Sequence, residues 1–272
     1  MAKRKSNRVY FWFSVLMLSF IGGLLIYFLA DQWSAGNRRP GHIDDAENTF
    51  SSYPGFGIWI PDDYEVHGID VSKYQKRVNW KLVRQMKDRG LQLQFAFMKA
   101  TEGTDIIDPQ FARNWKKAKE AGMVVGAYHF FRQSSGGHEQ ALFFMRQVNL
   151  QVGDLPPVLD VETFRGDGVE QFLDEVETWL KVVENRYGQK PIIYTNAGFY
   201  NQYLAGRFDN YPLWVAHYQN KNSPRVNRSW HFWQHNEGGR VNGIRSLVDF
   251  NVFNGTLKDF NALLIPKKLT AN

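Results

Sequence analysis

Cysteine is absent from the 272 residues. That excludes a disulfide-stapled scaffold, a thiolate zinc site, a cysteine nucleophile and a lipoprotein anchor. It leaves an extracytoplasmic home open, because a domain of this size can stand on its hydrophobic core alone. A real excess of positive charge is missing too. The formal charge is +6, but Lys3, Arg4, Lys5 and Arg8 stand alone ahead of any acid. Setting those four aside from the 33 basic residues leaves 29 against 27 acidic ones. A near-neutral remainder has no electrostatic footprint for a phosphate backbone, so nucleic acid is not an expected partner. There is no Gly-x-Ser-x-Gly elbow, no phosphate-binding Gly-Lys-Ser/Thr loop and no dinucleotide fingerprint. No repeat of fixed period or low-complexity tract appears. What is present is a globular balance, 43% hydrophobic and 22% charged.

Val9 to Ala30 is an uncharged run of 22 residues. At about 1.5 Å per residue a helix of that length crosses a hydrocarbon core about 30 Å thick. Tyr10, Trp12 and Tyr27 lie near its ends, and four basic residues precede it. This pattern predicts a retained anchor at 9–30 behind a cytoplasmic basic tail at 1–8, with the rest extracytoplasmic. The competing reading is a cleaved signal peptide, but the run is long for one and Phe28-Leu29-Ala30 is a poor cleavage site. Residues 31–63 hold Pro40, Pro54 and Pro61 with several Gly and Ser, and read as a tether with one short helix near Asp44–Phe50.

A catalytic-sized domain fills 64–272. Leu93–Ala100, Met123–Phe131, Val158–Val161 and Ile192–Tyr194 are short apolar or β-branched runs expected to be buried strands. Amphipathic segments alternate with them. Asp108-Pro109 starts one helix that Gly122 ends, and Asn79–Arg89 is another ended by Gly90. The clearest runs from Val169 to Tyr187, where Phe172, Leu173, Val176, Trp179, Leu180 and Val183 recur at three- and four-residue steps before Gly188. Alternation of this kind builds parallel βαβ units. After about Ala205 the pattern changes. Leu213–Ala216, His231–Gln234 and Ser246–Phe250 read as strands with no long helix between them, and Thr256–Leu264 as a closing helix.

Parallel α/β domains place their chemistry at the carboxyl ends of strands. The polar residues there are Asp70, His129, Asp160, Glu162 and Asp249. Asp160 and Glu162 are two apart on an extended chain, so both leave one face, and their repulsion should raise the proton affinity of one of them. A general acid near neutral pH needs that property, although capping or salt-bridged acids would give the same spacing. Asp70 could instead make an Asx turn before Ser72, and Asp249 a turn or cap. His231 and His235 have helical metal spacing but lie on a strand, where four residues span about 13 Å, too far for one ion. Tyr128, Phe130, Tyr194, Trp214 and Trp233 sit at or near strand ends, where aromatic faces beside carboxylates would suit a sugar chain, though each could equally pack the core.

Taken in order, these strings resemble glycoside hydrolase family 25, the lysozymes of the N-acetylmuramidase type. His67-Gly-Ile-Asp70-Val-Ser72-Lys-Tyr-Gln75 resembles its opening motif, Phe97-Met-Lys99-Ala-Thr101-Glu102-Gly103 its second strand, and Gly126-Ala-Tyr128-His129-Phe130-Phe131 its third. Pro157-Val-Leu-Asp160-Val-Glu162 resembles its acidic signature. Pro191-Ile-Ile-Tyr194-Thr-Asn196, Leu213-Trp214-Val-Ala216, Phe232-Trp233-Gln234 and Val248-Asp249-Phe-Asn251-Val-Phe253 follow. The resemblance spans about His67 to Leu264. It implies an irregular TIM-like α/β barrel, (β/α)5(β)3, here preceded by one transmembrane helix. It also implies hydrolysis of the β-1,4 bond between N-acetylmuramic acid and N-acetylglucosamine in peptidoglycan, with retention and no metal or organic cofactor. By motif position Glu162 is the acid/base, and Asp70, Asp160 and Asp249 are the other catalytic carboxylates. Tyr128, Phe130, Tyr194, Trp214 and Gln234 are the expected substrate contacts. An inactive tethered peptidoglycan-binding module and a hydrolase of chitin-like polymer are the alternatives. Oligomeric state and physiological role are not written in the motifs.

Overall fold

The computed structural model describes residues 49–218, 220 and 222–267. The basic tail, the anchor and nearly all of the Asp44–Phe50 helix lie outside them. Among the described residues no helix is long and apolar enough to cross a membrane.

Eight strands close into a barrel: β1 (Val66–Val71), β2 (Phe95–Glu102), β3 (Val124–Phe130), β4 (Val158–Asp160), β5 (Ile192–Asn196), β6 (Leu213–Ala216), β7 (Phe232–Gly239) and β8 (Val248–Phe253). The order around the wall is β1-β8-β7-β6-β5-β4-β3-β2, and β1 pairs with β2 to close it. Only β8 runs antiparallel to its barrel neighbours. Helices α1 (Trp80–Gln85), α2 (Phe111–Glu120), α3 (Gly137–Gln147) and α4 (Val169–Tyr187) follow the first four strands. Shorter helical turns, Ala197–Phe199 and Tyr200–Leu204, follow the fifth. Three strands without intervening helices complete the wall, and α5 (Leu257–Leu263) closes its floor. The five-plus-three pattern expected from the resemblance is present.

Two apolar layers hold it. Phe95, Phe97, Trp214, Phe232 and Phe253 fill the barrel, and Phe260 of α5 plugs it from below. Phe97 and Trp214 stack with centroids 4.3 Å apart. Room for these rings comes from glycine on the adjacent strands. A Cβ on Gly68 would lie 2.5 Å from the Phe95 ring, and one on Gly126 would lie 2.4 Å from the Phe97 ring. Gly126→Ala is therefore expected to destabilise the fold by about 1–3 kcal/mol, the usual cost of overpacking a filled core. Chemical denaturation would show it as a lowered midpoint at unchanged slope; an unshifted midpoint would refute the packing argument.

Four segments depart from the sequence reading. Within the stretch read as a tether, Phe50–Tyr53 and Ile58–Pro61 pair as an antiparallel hairpin. Its Phe56, Ile58 and Ile60 are buried in the outer core, Phe56 meets Phe250 edge-on at 5.2 Å and Phe50 meets Trp233 at 6.2 Å. The hairpin thus covers strands β7 and β8, which have no helix of their own. Helix α3 is absent from the sequence reading; its Gly137 serves close approach to α4, a Cβ there falling 1.9 Å from the Glu175 carbonyl oxygen. Helix α1 stops at Gln85, and a second small hairpin, Lys87–Asp88 with Leu91–Gln92, takes up the rest of the expected helix. Helix α2 begins at Phe111, because the Asp108 carboxylate is occupied by the backbone N–H groups of Gln110 and Lys73, at 2.8 and 2.6 Å.

Candidate active site

Side chains alternate along each strand, so Asp70 of β1 points into the barrel above Gly68. Antiparallel β8 enters the barrel from the opposite direction. Its second residue, Asp249, therefore stands in register with Asp70 at the carboxyl end of β1, and Asn251 stands opposite Gly68. Asp160 ends β4, in register with Phe130 of β3 and Tyr194 of β5. Glu162 follows two residues later. The structure brings all four expected carboxyls to one mouth. Neither alternative for the two lone acids holds. Ser72, not Asp70, caps the short turn Lys73–Gln75, and Asp249 lies within its strand.

Asp70 is held from two sides. Gln234 Nε2 donates to Asp70 Oδ2 at 2.7 Å and Asn251 Nδ2 to the same oxygen at 2.8 Å. The orientation of each amide is fixed in turn. Tyr194 and Tyr218 hydroxyls donate to Gln234 Oε1 at 2.8 and 2.7 Å, and Trp214 Nε1 donates to Asn251 Oδ1 at 2.7 Å. Because each amide oxygen is already occupied by donors, only the –NH2 groups can face Asp70.

Burial dominates the electrostatics. It pushes Asp70 up to about 7 against the pull of its two amide donors, with Glu162 adding to the rise. Asp249 is pushed up to about 8 by burial, then by Asp70 and Glu237. Asp160, 6% exposed, is raised well above the carboxylate range by burial first and by Glu162 second. Glu162 is raised by burial, and Lys99 opposes that rise. Four carboxyls in so small a space cannot all ionise at neutral pH, so the cluster stores protons. Asp160 Oδ1 is buried without a hydrogen-bond partner among the described residues.

The expected substrate contacts divide. Tyr194 and Gln234 belong to the bracket around Asp70. Tyr128 lies close enough to Asp70 and Asp160 for their charges, after burial, to raise its phenol well above the ordinary value. Phe130 is half-buried beneath the Lys99 ammonium, 4.6 Å from its ring centroid. Trp214 is buried, 2% exposed, with one face on Phe97 and its N–H on Asn251. Trp233 points outward and is fully buried beneath the hairpin. His129 is structural: Thr101 and Gln140 bond its two ring nitrogens at 2.7 and 3.2 Å, and burial lowers its pKa to about 3.

The comparisons with known proteins agree with this geometry. The family model described as glycosyl hydrolases family 25 matches residues 69–244. The chain belongs to that family. It is similar to Lysozyme M1 of Streptomyces globisporus, 36% identical over 74% of this chain and 72% of that protein. It is also similar to the uncharacterized protein YegX of Escherichia coli K12, 47% identical over 77% of each chain. A solved family 25 glycosyl hydrolase from Bacillus anthracis superposes with a TM-score of 0.68 at 32% identity, covering 81% of this chain and 99% of that one.

The carboxyl cluster is bordered by residues that the sequence reading does not single out. Asn251 and Tyr218 complete the bracket around Asp70. Asn251 had a signal in its two-residue spacing from Asp249; Tyr218, beyond the end of β6, had none. Lys99 is the third. Its ammonium pairs with Glu102 at 2.7 Å, Arg132 also engages Glu102, and its charge lowers both Asp160 and Glu162. Removing it in Lys99→Met should let the Glu162 proton be held to higher pH. The alkaline limb of kcat/KM is then expected to move upward by about half a unit to one unit. A limb that stays put or moves down would show that Lys99 does not tune Glu162.

Proposed function

We propose that the protein is a retaining peptidoglycan hydrolase that cleaves the β-1,4 bond from N-acetylmuramic acid to N-acetylglucosamine. The observation that carries this reading is the convergence of Asp70, Asp160, Glu162 and Asp249 at the mouth of a closed barrel in a chain of glycosyl hydrolases family 25. Glu162, whose hold on its proton is strengthened by burial, donates that proton to the leaving oxygen. Asp160 faces the anomeric centre. The unpartnered Oδ1 suits an N–H donor, which the 2-acetamido group of the substrate supplies. An N–H donor to Asp160 favours its ionised form, and as a carboxylate it stabilises the positive charge that develops when the acetamido oxygen attacks the anomeric carbon. Glu162, now a carboxylate, then activates water for the second attack, and two attacks give net retention. Asp70 and Asp249 hold sugar hydroxyls and shape the field.

The first test is turnover itself. Purified protein incubated with isolated peptidoglycan is expected to lower its turbidity and release reducing ends. Binding without release would instead identify a tethered binding module, and release from chitin-like polymer but not peptidoglycan would identify a different substrate.

The uncharged run at 9–30 behind its basic flank supports a second element of the proposal: a single-pass anchor with the barrel on the extracytoplasmic side, within reach of the polymer. A compartment-sensitive reporter fused to the carboxyl terminus should give an extracytoplasmic signal. A cytoplasmic one would sink the topology, and a soluble mature form starting near residue 31 would show a cleaved signal peptide.

A further inference from the structure

The near-neutral total conceals a segregation of charge that the fold makes spatial. Between Ser72 and Lys87 the sequence has six Lys or Arg and no acid; between Pro109 and Lys119 it has four and no acid. The first stretch contains α1 and the second α2, neighbours on the barrel wall whose facing sides border a groove of about 640 Å³. Val78 and Trp80 contribute to its lining, and both are buried. Lys81, Arg84 and Gln85 line it from α1 at one helical face, and Arg113, Lys117 and Glu120 line it from α2 at another. Arg77 stands at its start. Glu120 is the single acid of the lining, and it already pairs with Lys117 at 2.6 Å. Arg84 and Arg113 each spend Nη1 on a backbone carbonyl at 3.0 Å, of Leu93 and Val78, which fixes both planar guanidinium groups in place. A concave, polar, cation-lined surface with pre-oriented guanidinium groups is built for carboxylates or phosphates carried on a chain.

Its position selects among such chains. Each helix of a βα unit starts at the catalytic end of the barrel and runs back along the wall. The groove therefore starts at the rim, at Arg77, seven residues after Asp70, and descends along α2 for about 10 Å from Arg113 to Glu120. Peptidoglycan carries a peptide branch on the lactyl group of each muramic acid, and that branch bears several carboxylates. Four extended residues reach about 14 Å. A branch leaving a muramic acid at the mouth on the α1–α2 side would run toward the groove.

We propose that the α1–α2 groove is a second binding site, for the anionic stem peptides of peptidoglycan. It retains the enzyme on peptide-bearing polymer and distinguishes it from bare glycan. This rests on the peptidoglycan reading above. The test uses the full chain in neutral detergent, as wild type and as the triple variant Arg77→Gln/Lys81→Gln/Lys117→Gln. These side chains are exposed, and none makes a hydrogen bond that holds the backbone. Binding is measured on intact sacculi and on glycan strands stripped of stems by an amidase. The variant should bind intact sacculi about tenfold more weakly, three surface ionic contacts together. Stripping should cost the wild type the same factor and the variant nothing more, and added salt should erase the difference. Hydrolysis of stripped strands should be equal in the two proteins. Equal binding to intact sacculi, or a defect that persists on stripped strands, would overturn the proposal. So would a larger variant effect on phosphatidylglycerol vesicles than on sacculi, which would make the groove a lipid site. Failure of the peptidoglycan reading itself is seen separately, as wild type that releases no reducing ends from either substrate.

Discussion

Glu162→Gln is expected to abolish peptidoglycan hydrolysis while leaving the barrel folded. The amide keeps the volume and shape of the side chain but has no proton to give to the leaving oxygen. Acid catalysis of this kind is commonly worth about 10²–10⁴-fold, and the same group is needed again as base in the second step. Glu162 is half-buried beyond the end of β4 and makes no hydrogen bond that a strand depends on, so circular dichroism and the melting midpoint should stay near wild type. Binding to the polymer should persist, because the floor of the site and the bracket around Asp70 are untouched. Near-normal turnover by a variant with native spectra would remove Glu162 from the role of acid.

Asp160→Asn should show two effects in opposite directions. Activity should fall by about 10²–10³-fold, because an amide carries no charge to stabilise the cationic centre. Stability at neutral pH should rise. A carboxyl whose proton is held more tightly in the native state than in the unfolded chain adds stability below its ordinary unfolded value of about 3.9. That contribution is lost as pH rises toward the native pKa. Burial and Glu162 raise Asp160 in this sense, and Asp70, at about 7, and Asp249, at about 8, behave the same way. The wild-type fold therefore carries a penalty at neutral pH that the amide relieves. The melting midpoint of Asp160→Asn should exceed that of wild type at pH 7, and the gap should shrink toward pH 4. A variant that is inactive and also less stable at pH 7 would mean that the Asp160 carboxylate is a structural partner.

What could be read from the residues, and what could not, follows from how locally each feature is encoded. Helix α4 was legible to the residue, because its apolar positions repeat over five turns and Gly188 ends it. The run Leu213–Ala216 was legible because a buried parallel strand is uninterrupted. The 50–61 hairpin was hidden by Pro54, Gly55 and Gly57, which punctuate a segment whose reason to order is the bare outer wall of β7 and β8. Helix α3 was hidden by glycines that serve helix–helix approach. In the site, the four carboxyls were legible from their motifs. That Asp249 meets Asp70 depends on β8 running antiparallel, and strand direction leaves no mark on an apolar run. The segregation of lysine and arginine onto α1 and α2 was invisible in a net charge and became evident only when two distant segments were set side by side.

The central claim is the identity of the bond cut and the route by which it is cut, and one product analysis tests both. Digestion of purified peptidoglycan, followed by borohydride reduction and mass spectrometry, identifies the sugar at the new reducing end; early-time NMR identifies the first anomer. Muramitol is the expected product, with the β-anomer appearing before mutarotation. Glucosaminitol or anhydromuramic products would contradict the bond assignment, and an α-anomer first would contradict the double displacement.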